Sequence, residues 1–113
     1  MCKTQEKMKL DIIISGYDED RFKLSKVVEI LTKQLEEVKR NDVGAMFAFG
    51  NKKDNNREEV LKNAINQMTN TEYYCVLDCS ESFTVMPNYI QNMMNIIDTK
   101  NEDELIHYGI NKK

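Results

Sequence analysis

An aspartate that directly follows an apolar stretch is the residue of this sequence best placed to do chemistry. Asp78 ends residues 73–77, whose apolar side chains do not alternate with polar ones. That pattern is typical of a strand covered on both faces, as in a parallel sheet. A carboxylate at such a position is costly unless it is paired. Open α/β sheets bind ligands at the carboxyl ends of their strands, so we predict a ligand site around Asp78, with Ser80 in the same loop.

Two further polar loops follow apolar segments, at residues 16–20 and 50–56. Because parallel strands point the same way, the loops after them should collect beside Asp78 on one rim of the sheet. The candidate residues in these two loops are Tyr17, Asp18, Glu19, Asn51 and Asp54. Backbone N–H groups near helix starts, together with lysines, carboxylates and hydroxyls, suit a phosphate or a nucleotide better than an apolar ligand.

Each of these loops also has a purely structural interpretation. Residues 18–20 are acidic, as the first turn of a helix often is, and residues 51–56 have the composition of a turn and a helix cap. Polar loops between strands and helices are the norm in α/β proteins. The two interpretations stay open at this point.

The familiar catalytic and cofactor motifs are missing from the sequence. Its single histidine, His107, lies far from the cysteines, so neither a Ser–His–Asp nor a Cys–His arrangement is indicated. No glycine-rich phosphate loop is present. Cys2, Cys75 and Cys79 contain no CxxC pair, which favours reduced thiols over a zinc site.

The elements that must position these loops follow from the spacing of apolar residues. Strands are predicted at residues 10–15, 43–49 and 73–77. Three helices are predicted from apolar stripes at three- and four-residue steps; the stripes are Leu24, Val27, Val28, Leu31, Leu35 and Val38, then Val60, Leu61, Ala64, Ile65 and Met68, then Ile90, Met93, Met94 and Ile97. Pro87 suits the first turn of the third helix. The order β-α-β-α-β-α and right-handed crossovers predict a small three-layer α/β fold with a parallel sheet, Rossmann-like in type.

Length and charge limit the organisation and the partners of the chain. Its 113 residues predict one α/β domain at residues 9–109, between a polar segment at 1–8 and a tail at 110–113. A short last helix is expected at residues 102–107, stopped by Gly109.

The net charge of −3 argues against nucleic-acid binding. The early apolar run is too short for a signal or a membrane span, so we expect a cytoplasmic protein without a membrane partner.

Five short motifs occur in order along residues 9–97. They are Tyr17-Asp18-Glu19 with a later Gln34, the loop Gly50-Asn51-Lys52-Lys53-Asp54-Asn55-Asn56, the pair Lys62-Asn63, Glu72-Tyr73 leading to Leu77-Asp78-Cys79-Ser80, and Pro87-Asn88-Tyr89-Ile90. In this order they resemble the nucleotide-binding half of GT-A-type glycosyltransferases of the family-2 kind. The matching motifs of that family are Tyr-Asn-Glu, an Asp- and Gly-rich loop, Arg-Asn, Leu-Asp-x-Asp and Pro-x-x-Leu.

The resemblance implies a nucleotide or nucleotide-sugar ligand, with a UDP type favoured. It implies that Tyr17, Asp18, Glu19, Asn51, Asp54 and Lys62 lie in the nucleotide site. Asp78, next to Ser80, would hold Mn²⁺ or Mg²⁺ against the diphosphate. Ser80 replaces the second aspartate of the family's metal pair, and the acceptor-binding half is absent. The resemblance therefore implies a reduced domain that is not an active transferase on its own.

Two alternatives belong to other classes. Phe49-Gly50-Asn51-Lys52-Lys53-Asp54 resembles the Asn-Lys-x-Asp motif of small GTPases, in which Asn51 and Asp54 would contact guanine, and residues 78–82 resemble the later Ser-Ala-Lys loop. The phosphate loop and both switches of that family are missing. The other alternative is a non-enzymatic protein-interaction module on the same fold, such as a viral or mobile-element product.

Overall fold

The computed structural model describes residues 8–50, 57–67, 71–81 and 84–112, which form an α/β fold around one sheet. The strands are β1 (Met8–Tyr17), β2 (Val43–Gly50), β3 (Thr71–Asp78) and β4 (Asn111–Lys112). Their order in the sheet is β2-β1-β3-β4. β1 is parallel to both β2 and β3, and β4 is antiparallel to β3. The predicted fold class is confirmed.

The helices lie between the strands, as expected for parallel crossovers. A 3₁₀ turn at Asp18–Asp20 leads into α1 (Arg21–Val38). The other helices are α2 (Arg57–Gln67), α3 (Tyr89–Thr99) and α4 (Glu102–Leu105), which continues into a 3₁₀ turn at Ile106–Tyr108. Within the described residues, no helix combines the length and apolar character needed to cross a membrane. The cytoplasmic location remains a prediction.

The isoleucine run of β1 forms the centre of the core. Ile12, Ile13 and Ile14 are each at most 2% exposed, because β1 lies between two strands and its two faces are both covered. β-Branched side chains suit such a strand. On one face, Ile12 and Ile14 belong to a cluster with α1 and α3. On the other, Ile13 packs with Ala48 and with Ala64 of α2.

The side chain of Gln34 ties α1 to the start of α3. It is 8% exposed, donates from Nε2 to the Met86 carbonyl at 3.0 Å, and accepts the Ile90 N–H at Oε1, also at 3.0 Å. A helix start has backbone N–H groups without a partner in the helix. Gln34 provides such a partner for the Ile90 N–H at the start of α3, so its role in this fold is structural.

α3 begins later than its sequence suggests. Pro87 was expected in the first helical turn, but the helix starts at Tyr89. Asn88 has φ of 64° and therefore lies in the left-handed region, which interrupts the helix between the proline and Tyr89. The predicted apolar stripe is confirmed for Ile90, Met93 and Met94, which are all buried.

The end of the chain, expected to be a tail, takes part in the fold. Ile110 is 1% exposed, and its N–H donates to the Leu105 carbonyl at 3.1 Å. Gly109, at φ of 76°, turns the chain in a conformation that favours glycine. Asn111 and Lys112 then pair with β3. The tail prediction missed this strand because two residues give no periodic signal.

A set of ion pairs, the amino-end network of Lys9, Arg40, Asp42 and Asp98, joins three elements at the amino ends of the strands. Arg40 binds both carboxylate oxygens of Asp42 at 2.8 Å, and its Nη1 lies 3.0 Å from Asp98 Oδ2. Lys9 Nζ lies 3.2 Å from Asp98 Oδ1. Hydrogen bonds from the Arg40 guanidinium lower the pKa of Asp42 and of Asp98. The network therefore fastens the end of α3 to β1 and to the turn after α1.

Candidate functional site

The loops after β1 and β3 lie side by side at the carboxyl ends of these strands. Ser15 is the register partner of Asp78, and the Cys79 N–H donates to the Ser15 carbonyl at 2.7 Å. A Cβ added to Gly16 would lie 3.3 Å from Cys79 Cβ and 3.5 Å from Asp20 Cβ. Glycine at this position lets the two loops approach closely, and a larger residue would push them apart.

Asp78 organises the loop after β3 with its own carboxylate. Asp78 Oδ1 accepts the Ser80 N–H at 3.0 Å and the Ser80 hydroxyl at 2.6 Å, and the Glu81 N–H donates to the Asp78 carbonyl at 3.1 Å. These bonds form an aspartate-capped turn. They satisfy the carboxylate locally and also fix its orientation at the end of the strand.

Asp20 has a similar role in the loop after β1. Its Oδ2 accepts the Tyr17 N–H at 2.8 Å, and residues 18–20 form the 3₁₀ turn directly before α1. The structural interpretation of the acidic run, as the entry to a helix, therefore describes its backbone well. Glu19 lies in this turn and is exposed, and Tyr17 is half-buried at the end of β1.

Lys23 joins the two loops. From the first turn of α1 its ammonium donates to the Glu81 backbone carbonyl in the loop after β3. Lys23, Asp20 and Asp78 also surround the same thiol. Burial raises the pKa of Cys79, Lys23 acts to lower it, and Asp20 and Asp78 act to raise it.

We call this surface the β1–β3 rim and define it by Tyr17, Glu19, Asp20, Lys23, Asp78 and Ser80. Asp20 and Lys23 were not among the predicted site residues. The sequence gives no signal for Lys23, because its partner is a backbone carbonyl and the contact requires β3 to be the neighbour of β1.

The remaining predicted site residues fall elsewhere. Asp18 opens the 3₁₀ turn beside the rim. Asn51 and Asp54 lie outside the described residues. Lys62 is exposed in the middle of α2, which packs on the sheet face opposite to α1 and α3. The structure thus brings together Tyr17, Glu19, Asp78 and Ser80, but not Lys62.

The rim alone does not provide a complete metal site. Among the described residues, no three histidine, cysteine, aspartate or glutamate side chains are grouped so that they could hold an ion. Mg²⁺ usually binds one or two carboxylates and takes its other ligands from phosphates and water. Asp78 could supply one carboxylate of such a set, and the other ligands would have to come from phosphate and water.

The two described cysteines are buried and free. Burial raises the pKa of Cys75 to about 11, and its Sγ lies 3.7 Å from the Tyr89 hydroxyl. A thiol with a raised pKa is a weak nucleophile at neutral pH. Cys75 and Cys79 therefore act as small residues of the hydrophobic core.

Comparisons with known proteins do not assign the chain to a family. No protein-family model, curated protein or solved structure matches it significantly. Both resemblances described from the sequence remain predictions. The function is therefore inferred from the β1–β3 rim.

Proposed function

We propose that the β1–β3 rim binds a nucleotide or a nucleotide-sugar of the UDP type, and that this chain alone does not transfer the sugar. The observation that carries the proposal is the bridge from Lys23 to the Glu81 carbonyl. It makes two loops of adjacent parallel strands into one polar surface with a cation and an oriented carboxylate. The carboxyl ends of parallel strands are the usual ligand position in α/β folds.

The charges of the rim suit a diphosphate bound with a divalent cation. Asp20 and Asp78 would repel a bare phosphate, whereas Mn²⁺ or Mg²⁺ between Asp78 and the phosphate oxygens removes that repulsion. α1 and α2 both begin at this end of the sheet, because each runs antiparallel to the strands it connects, and helix starts favour anions. By the resemblance to glycosyltransferases, the loop of Tyr17 and Glu19 would contact the base and the ribose.

The absence of transferase activity is inferred from the residue types at the rim. Ser80 is a neutral hydroxyl that donates to Asp78 Oδ1, so it does not supply the negative charge of a second carboxylate at a metal ion. No residue of the rim is a histidine, and both aspartates already accept hydrogen bonds from their own loops. The inference therefore rests on the missing second carboxylate at the metal position, and not on a lack of carboxylates, because Glu19 also belongs to the rim.

Thermal unfolding with a ligand panel tests the proposal. UDP, GDP, GTP and the sugar conjugates of both diphosphates are added with and without Mn²⁺. A ligand at a hundredfold over its Kd adds about 2.7 kcal/mol to the free energy of unfolding, or a rise in Tm on the order of 10 °C for a domain of this size. We expect the largest rise for a UDP compound with Mn²⁺.

Asp78→Asn is the informative variant, because an asparagine oxygen can still accept the Ser80 hydrogen bonds while the charge is lost. We expect it to fold normally and to lose the Mn²⁺-dependent rise. Asp103→Asn, an exposed carboxylate in α4, is the matched control and should keep it. A panel with no shift for any nucleotide refutes the proposal. A shift confined to guanine nucleotides and lost in Asp54→Ala would support the GTPase-like alternative instead.

A further inference from the structure

A cavity of about 440 Å³ lies where β3 and β4 meet α4. The residues that line it come from 73–74 and 102–112, which the structure describes. Small-molecule sites usually have volumes of roughly 300–1,000 Å³. Tyr74 precedes Asp78 by roughly 13 Å along β3, so the cavity is separate from the β1–β3 rim. A ligand of this cavity is therefore independent of the nucleotide proposal.

The inner wall of the cavity is apolar. Leu105 and Ile110 line it and are 2% and 1% exposed. Ile106 also lines it and keeps 65% of its surface exposed. Apolar surface thus continues from the inside of the cavity to its mouth. A ligand that covers this surface with an apolar group removes it from water, which favours binding.

The chain already binds one cation of its own at this cavity. Lys112 Nζ lies 2.5 Å from Glu102 Oε1, and the hydrogen bond to Glu102 raises the pKa of Lys112. Tyr73 is the register partner of Lys112, and burial and the charge of Glu102 both raise the pKa of its phenol. A carboxylate beside a tyrosine suits an ammonium group, through the ion pair and through the face of the ring.

The sign of the charges favours a cation over an anion. Glu102 and Asp103 bring two negative charges to the lining, and Lys112 brings one positive charge. Lys112 is 62% exposed at its side chain and is held by Glu102 alone among the described ion pairs. A second ammonium can therefore take its place, whereas an anion would meet a net negative lining.

From the size, the apolar wall and the charges, we propose that this cavity binds a small organic cation with an apolar body and one ammonium group. The body packs against Leu105, Ile106 and Ile110. The ammonium replaces that of Lys112 at Glu102, next to Tyr73. Lys112 is then a competitor built into the chain, and its removal should strengthen binding.

A titration of the full chain, followed by two-dimensional ¹H–¹⁵N NMR, tests the ligand class. The probes are 2-phenylethylamine, 2-phenylethanol and phenylacetate, which share a ring and differ in charge. We expect the amine to bind with a Kd about tenfold below that of the alcohol and of the acid, and to shift the resonances of residues 73–74 and 102–112. Equal binding of the three probes, no binding of the amine at millimolar concentration, or shifts confined to other residues overturns the proposal.

Two variants separate ligand binding from a structural role of the ion pair. Lys112→Met removes the competing ammonium and should lower the Kd of 2-phenylethylamine about threefold, whereas Glu102→Gln removes the binding charge and should raise it about tenfold. Loss of a purely structural pair would change the Kd in the same direction in both variants, and that result rejects the proposed site. Lys26→Met and Glu29→Gln, exposed on α1, are the matched controls and should leave the Kd unchanged. Far-UV circular dichroism checks that each variant is folded.

Discussion

At the amino end of the sheet, Arg40 donates to both Asp42 and Asp98, whereas at the β1–β3 rim Asp20 and Asp78 accept hydrogen bonds from their own loops. Both ends carry several charged side chains. The charged side chains of the amino-end network bind residues of other elements and so hold these elements together. At the rim, the described hydrogen bonds of Asp20 and Asp78 are to their own loops, and Lys23 bridges the two loops.

This difference explains why charge count alone does not locate a site. A carboxylate that binds a guanidinium through both oxygens has little capacity left for a ligand. A carboxylate oriented by neutral donors retains its full negative charge, so it can still attract a cation. The rim is therefore the better candidate for ligand binding, and the amino-end network is the better candidate for stability.

The largest expected effect is on stability at the amino end. Arg40→Met removes the guanidinium from two carboxylates that are 25% and 35% exposed. We expect a loss of about 2 kcal/mol in the free energy of unfolding, measured by urea denaturation, because charged hydrogen bonds are lost in a network. Asp78→Asn keeps its turn and should cost less than about 0.5 kcal/mol. If Arg40→Met and Asp78→Asn lower the free energy of unfolding equally, the amino-end network does not contribute more to stability than the β1–β3 rim.

A smaller effect is expected on the pH dependence of stability. Asp42 and Asp98 have pKa values lowered in the folded state from the ordinary 3.8 by the Arg40 guanidinium. A carboxylate with a lowered folded pKa contributes stability above its unfolded pKa and loses it as the pH falls through the folded pKa. The difference in stability between the wild type and Arg40→Met should be constant from pH 8 to about pH 5 and should shrink below about pH 4. A difference that is the same at pH 3 and pH 7 would show that the carboxylate charges do not contribute.

The smallest expected effect concerns the thiol beneath the rim. Lys23 lowers the pKa of Cys79 and Asp78 raises it, so Lys23→Met should raise this pKa and Asp78→Asn should lower it. The measurement is the rate of Cys79 alkylation as a function of pH, followed by mass spectrometry. If both variants shift the pKa of Cys79 in the same direction, Lys23 and Asp78 do not have opposite effects on this thiol.

The long elements of the fold could be predicted because their signals are periodic. The isoleucines of β1 and the stripe of α1 follow from side-chain spacing alone. β4 could not be predicted, because a two-residue strand has no period and forms only where β3 and the turn at Gly109 place it. The start of α3 was misplaced for a related reason, since the left-handed Asn88 leaves no trace in the apolar pattern.

The site could be predicted only in part. The position of Asp78 and Ser80 at the carboxyl end of a strand follows from the sequence, because a carboxylate directly after an apolar run is unusual, but their part in a ligand site stays a prediction. Lys23 was missed because its partner is a backbone carbonyl 58 residues away, which residue types do not reveal. Lys62 was included only through the resemblance to a glycosyltransferase, and the structure places it within α2, away from the rim.

The central position of β1 has a consequence for how the chain folds during synthesis. Asp11 in β1 accepts a hydrogen bond from Thr71 of β3, 60 residues later in the sequence. The β1–α1–β2 unit can assemble early, but one side of β1 then stays open until β3 leaves the ribosome. Closing a loop of that length slows folding and leaves apolar strands exposed in the meantime. The nascent chain therefore presents the open side of β1 until β3 arrives, a period in which aggregation competes with completion of the sheet.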